Sequence, residues 1–279
     1  MRIRYRIWMV FAGACMSTQG QWVSHPTPGA PRTKDGKVNL SAPAPRAANG
    51  KPDLSGLWQV DPTPLEEMTR LVGDDIGALA VPGDDPRQFS KYVFNILADF
   101  KPEESPLRPE FREFVEKRAK TAGLDAPTSH CLPGGIPFTS FLPFPVKFIQ
   151  TPGLLVMLFE IDNTLRQVYT DGRKHPEDPQ PLWLGYSVGK WEGDTLIIDT
   201  VGFNDKSWLD GFGHPHSESL HVTERFRRRD FGHLDVQITL DDPKVYTKPF
   251  TIKASHHLLP DTDILENYCA ENEKDRRHL

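Results

Sequence analysis

No apolar run in the 279 residues approaches the ~18 that a helix needs to cross a bilayer, which excludes a helical membrane protein. Basic charge is not in excess either. Lys and Arg number 33 against 38 Asp and Glu, the net charge is −5 and the pI is near 6.1. A nucleic-acid-binding domain normally sits above about 9, so no nucleic-acid partner is expected. The chain has no Gly-x-Gly-x-x-Gly, no Gly-x-x-x-x-Gly-Lys-Ser/Thr, no His-Glu-x-x-His and no Cys-x-x-Cys. Nucleotide-dependent and zinc-protease chemistry lose their usual signatures with them, and no serine-hydrolase elbow is expected either. Internal repeats do not stand out. Cysteine is scarce, at three residues, whereas proline is plentiful at 26. The rest, 38% hydrophobic and 25% charged, is the composition of an ordinary globular chain, long enough for one large domain or two small ones.

Arg2, Arg4 and Arg6 precede an apolar run over residues 7–15 and then small residues. That layout is a secretory signal over residues 1–20 and predicts an exported protein, periplasmic or secreted. Residues 12–15 (Ala-Gly-Ala-Cys) are a weaker match to a lipoprotein box, since its Leu is missing, so anchoring at Cys15 is the lesser variant. Removing the leader takes away three Arg and no acid, and the charge moves from −5 to −8. A protein so acidic has little attraction for anionic membranes. Only Cys131 and Cys269 then remain. In an oxidising compartment they read as one disulfide or as two separately buried thiols.

Residues 21–52 are rich in Pro, Ala, Gly and Ser with few large apolar groups, which predicts a flexible tether. Residues 53–143 are mixed. Helix is expected around 89–99 and near 109–122, where Pro109 opens and Gly123 follows a run of good helix formers. From 144 to 279 short β-like runs succeed one another, at 146–150, 154–161, 165–170, 182–188, 195–203, 220–227, 234–240, 250–256 and 264–269. Hairpin-length spacing without intervening helices predicts a mainly β fold. The expected form is an antiparallel meander closing into a barrel or sandwich of calycin or lipocalin type, with an amino-terminal extension of one or two short helices. Residues 53–279 read as one folded unit.

Strand alternation puts Leu220, Val222, Glu224 and Phe226 on one face, and Ile197, Asp199, Val201 and Phe203 on one face. Neighbouring antiparallel strands would bring Glu224 and Asp199 into one interior, as a functional pair or neutralised structurally by Arg166 or Arg225. Residues 210–221 hold His214, His216 and His221 with Asp210 and Glu218 on a Gly- and Pro-shaped loop. They suit proton transfer, metal binding or a hydrogen-bonded structural loop. Tyr169, Asp171, Arg173 and His175 surround an Asp-Gly turn at a strand end, as substrate-orienting groups or as plain turn chemistry. Trp183 and Trp191, near Tyr186 and Trp208, suit stacking on a sugar or aromatic ligand, or simple packing.

The stretches Pro52-Asp-Leu-Ser-Gly-Leu-Trp58, Cys131-Leu-Pro-Gly-Gly-Ile-Pro137 and Tyr169-Thr-Asp-Gly-Arg173 form a recognisable set. Gly185-Tyr-Ser-Val-Gly-Lys-Trp-Glu-Gly-Asp194, Asp199-Thr-Val-Gly-Phe-Asn204, His214-Pro-His-Ser-Glu218 and Leu220-His-Val-Thr-Glu-Arg-Phe226 extend it. Over roughly residues 52–275 the chain resembles a large group of exported bacterial proteins, of acidobacterial type, for which no reaction is established. The resemblance implies export and transfers no catalytic residue. Leu-Ser-Gly-Leu-Trp is also similar to the Gly-x-Trp start of lipocalin-type barrels, a likeness of fold alone.

Together these readings favour an exported enzyme doing cofactor-independent general acid–base chemistry, of lyase, isomerase or hydrolase type, on a small organic or glycosidic compound in a barrel mouth. His214, His216 and His221 would move the proton, with Glu224 and Asp199 orienting them. Tyr169, Asp171, Arg173, His175, Trp183 and Trp191 would bind the substrate. The alternatives are a periplasmic lipocalin-like carrier of a small molecule, and a metalloenzyme holding a divalent metal on His214, His216 and His221.

Overall fold

The computed structural model describes residues 25–72, 89–121 and 123–269. The expected signal at 1–20, Cys15 and the first residues of the expected tether lie outside them. Among the described residues no helix is long and apolar enough to cross a membrane. Nine strands form one closed barrel in sequence order: β1 Gly56–Val60, β2 Val146–Thr151, β3 Leu154–Phe159, β4 Leu165–Tyr169, β5 Tyr186–Glu192, β6 Thr195–Val201, β7 His221–Arg228, β8 His233–Asp241 and β9 Phe250–Leu258. Closure gives every strand a neighbour on both sides, and the seam stands open only where the short β4–β5 ladder ends.

The mainly β barrel is therefore as expected, with three differences. Residues 264–269 are not a strand, because β1 already occupies the far side of β9, pairing Trp58 with Leu258. The second difference is at β4 and β5, which run parallel because residues 170–185 carry the chain back before β5 begins. Their ladder is only two residue pairs long, Val168 with Ser187 and Tyr169 with Val188. The third concerns residues 25–52, which are fastened to the barrel. Phe231 N–H donates to Ala42 O (2.7 Å), Gly232 N–H to Leu40 O (2.7 Å), and Ala42 is buried.

That fastening exposes a repeat the sequence reading passed over. Ala-Pro-Arg-Thr-Lys-Asp-Gly-Lys at 30–37 returns as Ala-Pro-Arg-Ala-Ala-Asn-Gly-Lys at 44–51. Each copy is a tight hairpin whose Gly36 or Gly50 has φ of +83° or +77°, conformations open to glycine at little cost. In each, the Arg donates to that glycine's carbonyl, Arg32 to Gly36 O at 2.9 Å and Arg46 to Gly50 O at 2.8 Å. Each Arg also forks onto a barrel carboxylate, Arg32 on Asp261 and Arg46 on Asp194. Two clasps of one design thus tie the segment down. Specific polar contacts do what apolar burial could not.

Among the described residues the α-helices are short: α1 Leu65–Val72, α2 Lys91–Phe94 and α3 Arg112–Ala119, the last entered through a 3₁₀ turn at Pro109–Phe111. Inward residues of every strand fill the barrel. On β8 the alternation is complete, with Leu234, Val236, Ile238 and Leu240 buried between half-buried neighbours. Trp58, Met157, Ile198 and Phe226 belong to the same apolar cluster, as expected of a barrel narrow enough for side chains to pack it.

Glu224 lies in this interior, and Arg166 neutralises it there. Arg166 Nη1 is 3.1 Å from Oε1, Nη2 bonds the other carboxylate oxygen, and both side chains are sealed from solvent. Arg166 also donates to Ser187 Oγ (3.2 Å) and Thr200 Oγ1 (3.0 Å). Asp199 does not join them. Ile198 pairs with Glu224 and Asp199 with Thr223, and Leu196, Ile198 and Thr200 are the buried side of β6. Polarity is inverted locally: Thr200 turns inward to solvate the ion pair, while Ile197 and Val201 turn outward.

His256, on β9, is buried with no hydrogen-bond partner for Nδ1, and desolvation pushes its pKa down to about 4 from 6.5. The unfolded chain takes up this proton first as pH falls. Stability is therefore expected to be full above about 6.5 and to drop toward pH 4, by up to roughly 3 kcal/mol. Denaturant titrations across this range, on the native chain and His256→Leu, check it. An acid slope equally steep in the variant would assign the loss to other groups.

Candidate active site

The outward faces of β4 to β7 carry a continuous polar and aromatic row. Tyr169 leaves β4, Tyr186 begins β5, Asp199 sits on β6, and His221 and Thr223 on β7. The turn after β4 folds Arg173 back over the Tyr169 ring, 3.9 Å from its centroid, with Asp171 gripping the guanidinium at 2.6 Å. Tyr169 stacks on Tyr186 at 5.3 Å, and His175 meets the Tyr186 ring edge-on at 6.1 Å.

The centre of the row is Asp199, whose two oxygens face two imidazoles. His175 Nε2 is 2.8 Å from Oδ2 and His221 Nε2 is 2.5 Å from Oδ1, with Thr223 Oγ1 at 3.4 Å from Oδ1. The hydrogen bond from His221, aided by His175 and opposed by partial burial, holds the Asp199 carboxyl down to about 2. At neutral pH it is ionised and can only accept, so both Nε2 atoms carry hydrogen. His175 Nδ1 is buried without a partner. His221 is 43% exposed, more open than His175 at 22%. The bond to Asp199 raises the His221 pKa above its ordinary value. His221 also lines a groove of about 580 Å³ between residues 178–181 and 218–221, which Glu218 shares. That volume is in the range of small-molecule sites.

Members of all three polar constellations therefore meet: Asp199 from the strand faces, His221 from the 210–221 segment, and Tyr169, Asp171, Arg173 and His175 from the turn. They meet on the outer wall, whereas a barrel mouth was expected. Glu224 is separated from them by the sheet. His214 and His216 point elsewhere. His214 Nδ1 bonds buried Asp210 at 2.6 Å, and Asp210 also accepts the Ile96 and His214 N–H groups. His216 Nε2 bonds Ser207 Oγ at 2.7 Å, its Nδ1 faces Ser217 O at 3.2 Å, and burial lowers its pKa. These bonds close the 204–220 loop onto the fold. The three histidines expected as a metal set are thus divided between three different partners. Among the described residues no three His, Cys, Asp or Glu are arranged to hold a metal ion.

Trp183 and Trp191 are also apart. Trp183 lines a cleft of about 450 Å³ where β4 and β5 diverge, while Trp191 lines a separate small cavity with Asn49 of the second clasp and Gln150. The sequence reading named Tyr186 only beside the tryptophans and missed Ser187 and Thr200 as site residues. The string Gly185-Tyr-Ser-Val-Gly189 fits the Gly-x-Ser-x-Gly pattern of serine hydrolases. Here it lies in a strand. Ser187 is buried and bonds Arg166 and Thr200, not a histidine. Cys131 and Cys269 form the disulfide.

No family model, no curated protein and no solved structure matches the chain. Function has to be argued from the geometry.

Proposed function

We propose that the protein is an exported enzyme that performs general acid–base chemistry on a small molecule held against the outer wall of its barrel. The observation that carries this reading is one carboxylate shared by two imidazoles at the edge of a groove. Asp199 fixes the Nε2–H tautomer of His221 and stabilises its charged form. No described residue bonds His221 Nδ1, the position from which a proton can be given or taken. His175 braces Asp199 from the far side and acts through it, as a positioning residue. The Arg-led leader and the disulfide support export, since disulfides persist in oxidising compartments.

The bond to Asp199 favours the protonated form of His221 and suits it to act as a general acid, with activity falling as pH rises through its pKa. A panel of chromogenic esters and glycosides and of enolisable ketones supplies the assay. His221→Ala is expected to lower kcat/KM by about 10²–10⁴-fold at unchanged Tm. Asp199→Asn removes the anion that holds the imidazolium, and the basic limb moves to lower pH. Turnover that survives His221→Ala, or a limb that stays in place in Asp199→Asn, overturns the assignment.

A further inference from the structure

We propose that the cleft between β4 and β5 is a binding site for a neutral aromatic ring bearing a carbonyl group. The cleft shares Tyr169 and Tyr186 with the row on the outer wall, but the proposal does not need the acid–base reading and rests on the seam of the barrel.

Ahead of their two-pair ladder β4 and β5 diverge, and the gap is walled by Tyr169, Trp183 and Tyr186 with Leu165, Leu182 and Leu184. Such a wall accepts a ring through stacking and apolar contact. The floor is polar: buried Arg166 and Ser187 reach the cleft from the interior. Arg166 is already neutralised by Glu224. An anion would have to compete with that carboxylate, and a cation would face a buried guanidinium. A neutral ligand meets neither cost.

Hydrogen-bond accounting leaves one hydroxyl hydrogen to spare in the Ser187–Thr200 pair. Ser187 and Thr200 each accept from Arg166, and their oxygens lie 3.0 Å apart, so one hydroxyl donates to the other. Two hydroxyls have two O–H donors, and this arrangement uses one. When Thr200 donates to Ser187, the Ser187 O–H is left for the cleft. The complement to that donor is an acceptor, such as an aromatic ketone, aldehyde or ester carbonyl.

The cleft is also braced from outside. Asp162, at its rim, and the adjoining Asn163 hold φ of +53° and +47°, uncommon for residues other than glycine. Asp162 accepts the Cys269 N–H at 3.1 Å and Asn163 donates to Asn267 O at 3.0 Å, while Pro133 on the rim lies two residues after Cys131. The disulfide thus pins both lips, and the site is formed before a ligand arrives.

Calorimetric titration of the mature protein with acetophenone, toluene, benzoate and glucose tests this. Acetophenone is expected to bind about tenfold tighter than toluene, and benzoate and glucose more weakly still. Ser187→Ala should abolish the preference for acetophenone over toluene. Trp183→Ala should weaken acetophenone by about tenfold, as should Leu182→Arg at an exposed position where folding is not at stake. His221→Ala should leave acetophenone binding intact, which separates this site from the groove. Equal affinity for acetophenone and toluene overturns the carbonyl assignment. Preference for glucose or benzoate overturns the ligand class, and an unaffected Leu182→Arg variant overturns the location.

Discussion

Glu224→Gln is expected to cost about 3–5 kcal/mol of folding stability, the penalty of leaving a buried charge without its counter-ion. Glu224 is fully enclosed and Arg166 nearly so, and the guanidinium cannot lose its proton to escape. Met157 Sδ lies 3.9 Å from Nη1, so the surroundings offer little solvation beyond Ser187 and Thr200. At roughly 2–4 °C per kcal/mol for a domain of this size, calorimetry should record a Tm fall of about ten degrees. The double replacement Arg166→Met/Glu224→Leu should recover most of the loss, because packed apolar side chains of similar volume often match a buried pair. A Glu224→Gln variant as stable as the native chain would mean that water reaches the pair. A double variant no better than the single would mean that Ser187 and Thr200 depend on it.

Replacing both Cys131 and Cys269 by Ser is expected to lower stability by up to about 5 kcal/mol. The bond spans 138 residues, and the chain-entropy cost avoided in the unfolded state grows with the logarithm of that span. Residues 259–269 form no strand, so the tail is held by scattered contacts, Leu265 N–H on Glu160 and Cys269 N–H on Asp162. Without the bridge they are expected to loosen first. Denaturant midpoints for the double variant, and for the native chain under reductant, should agree. A loss much below 2 kcal/mol would show that the unfolded chain is compact enough to be little constrained by the link.

Much of the barrel was legible because alternation is a local property. Eight of the expected runs coincide with β2 to β9 or overlap them, and Glu224 was placed inside from its neighbours alone. β1 was visible only as the start of order, since five residues with three apolar side chains and no clear alternation look the same in a loop. Residues 264–269 were apolar enough to be read as a strand, but pairing needs a vacant edge, and β1 had taken it. The clasps were present in the sequence as a repeat with a period of 14 residues, hidden by a composition that otherwise describes a tether.

The site was legible in its parts and not in its assembly. Three histidines within eight residues differ little as a string, yet His214 and His216 face buried Asp210 and Ser207 while His221 begins a strand and faces outward. His175 comes to Asp199 only because β4 and β5 run parallel.

The sequence by itself determined most of the segments that become strands, the inward side of β7, and which two cysteines are available to pair. All three depend on period, composition and turn chemistry within a few residues. The tertiary structure decided that the interior is packed, that the β4–β5 seam stands open, and that one aspartate gathers two imidazoles on the outer wall. Those outcomes depend on the register between strands and the direction of one crossover, and neither is written in any single strand.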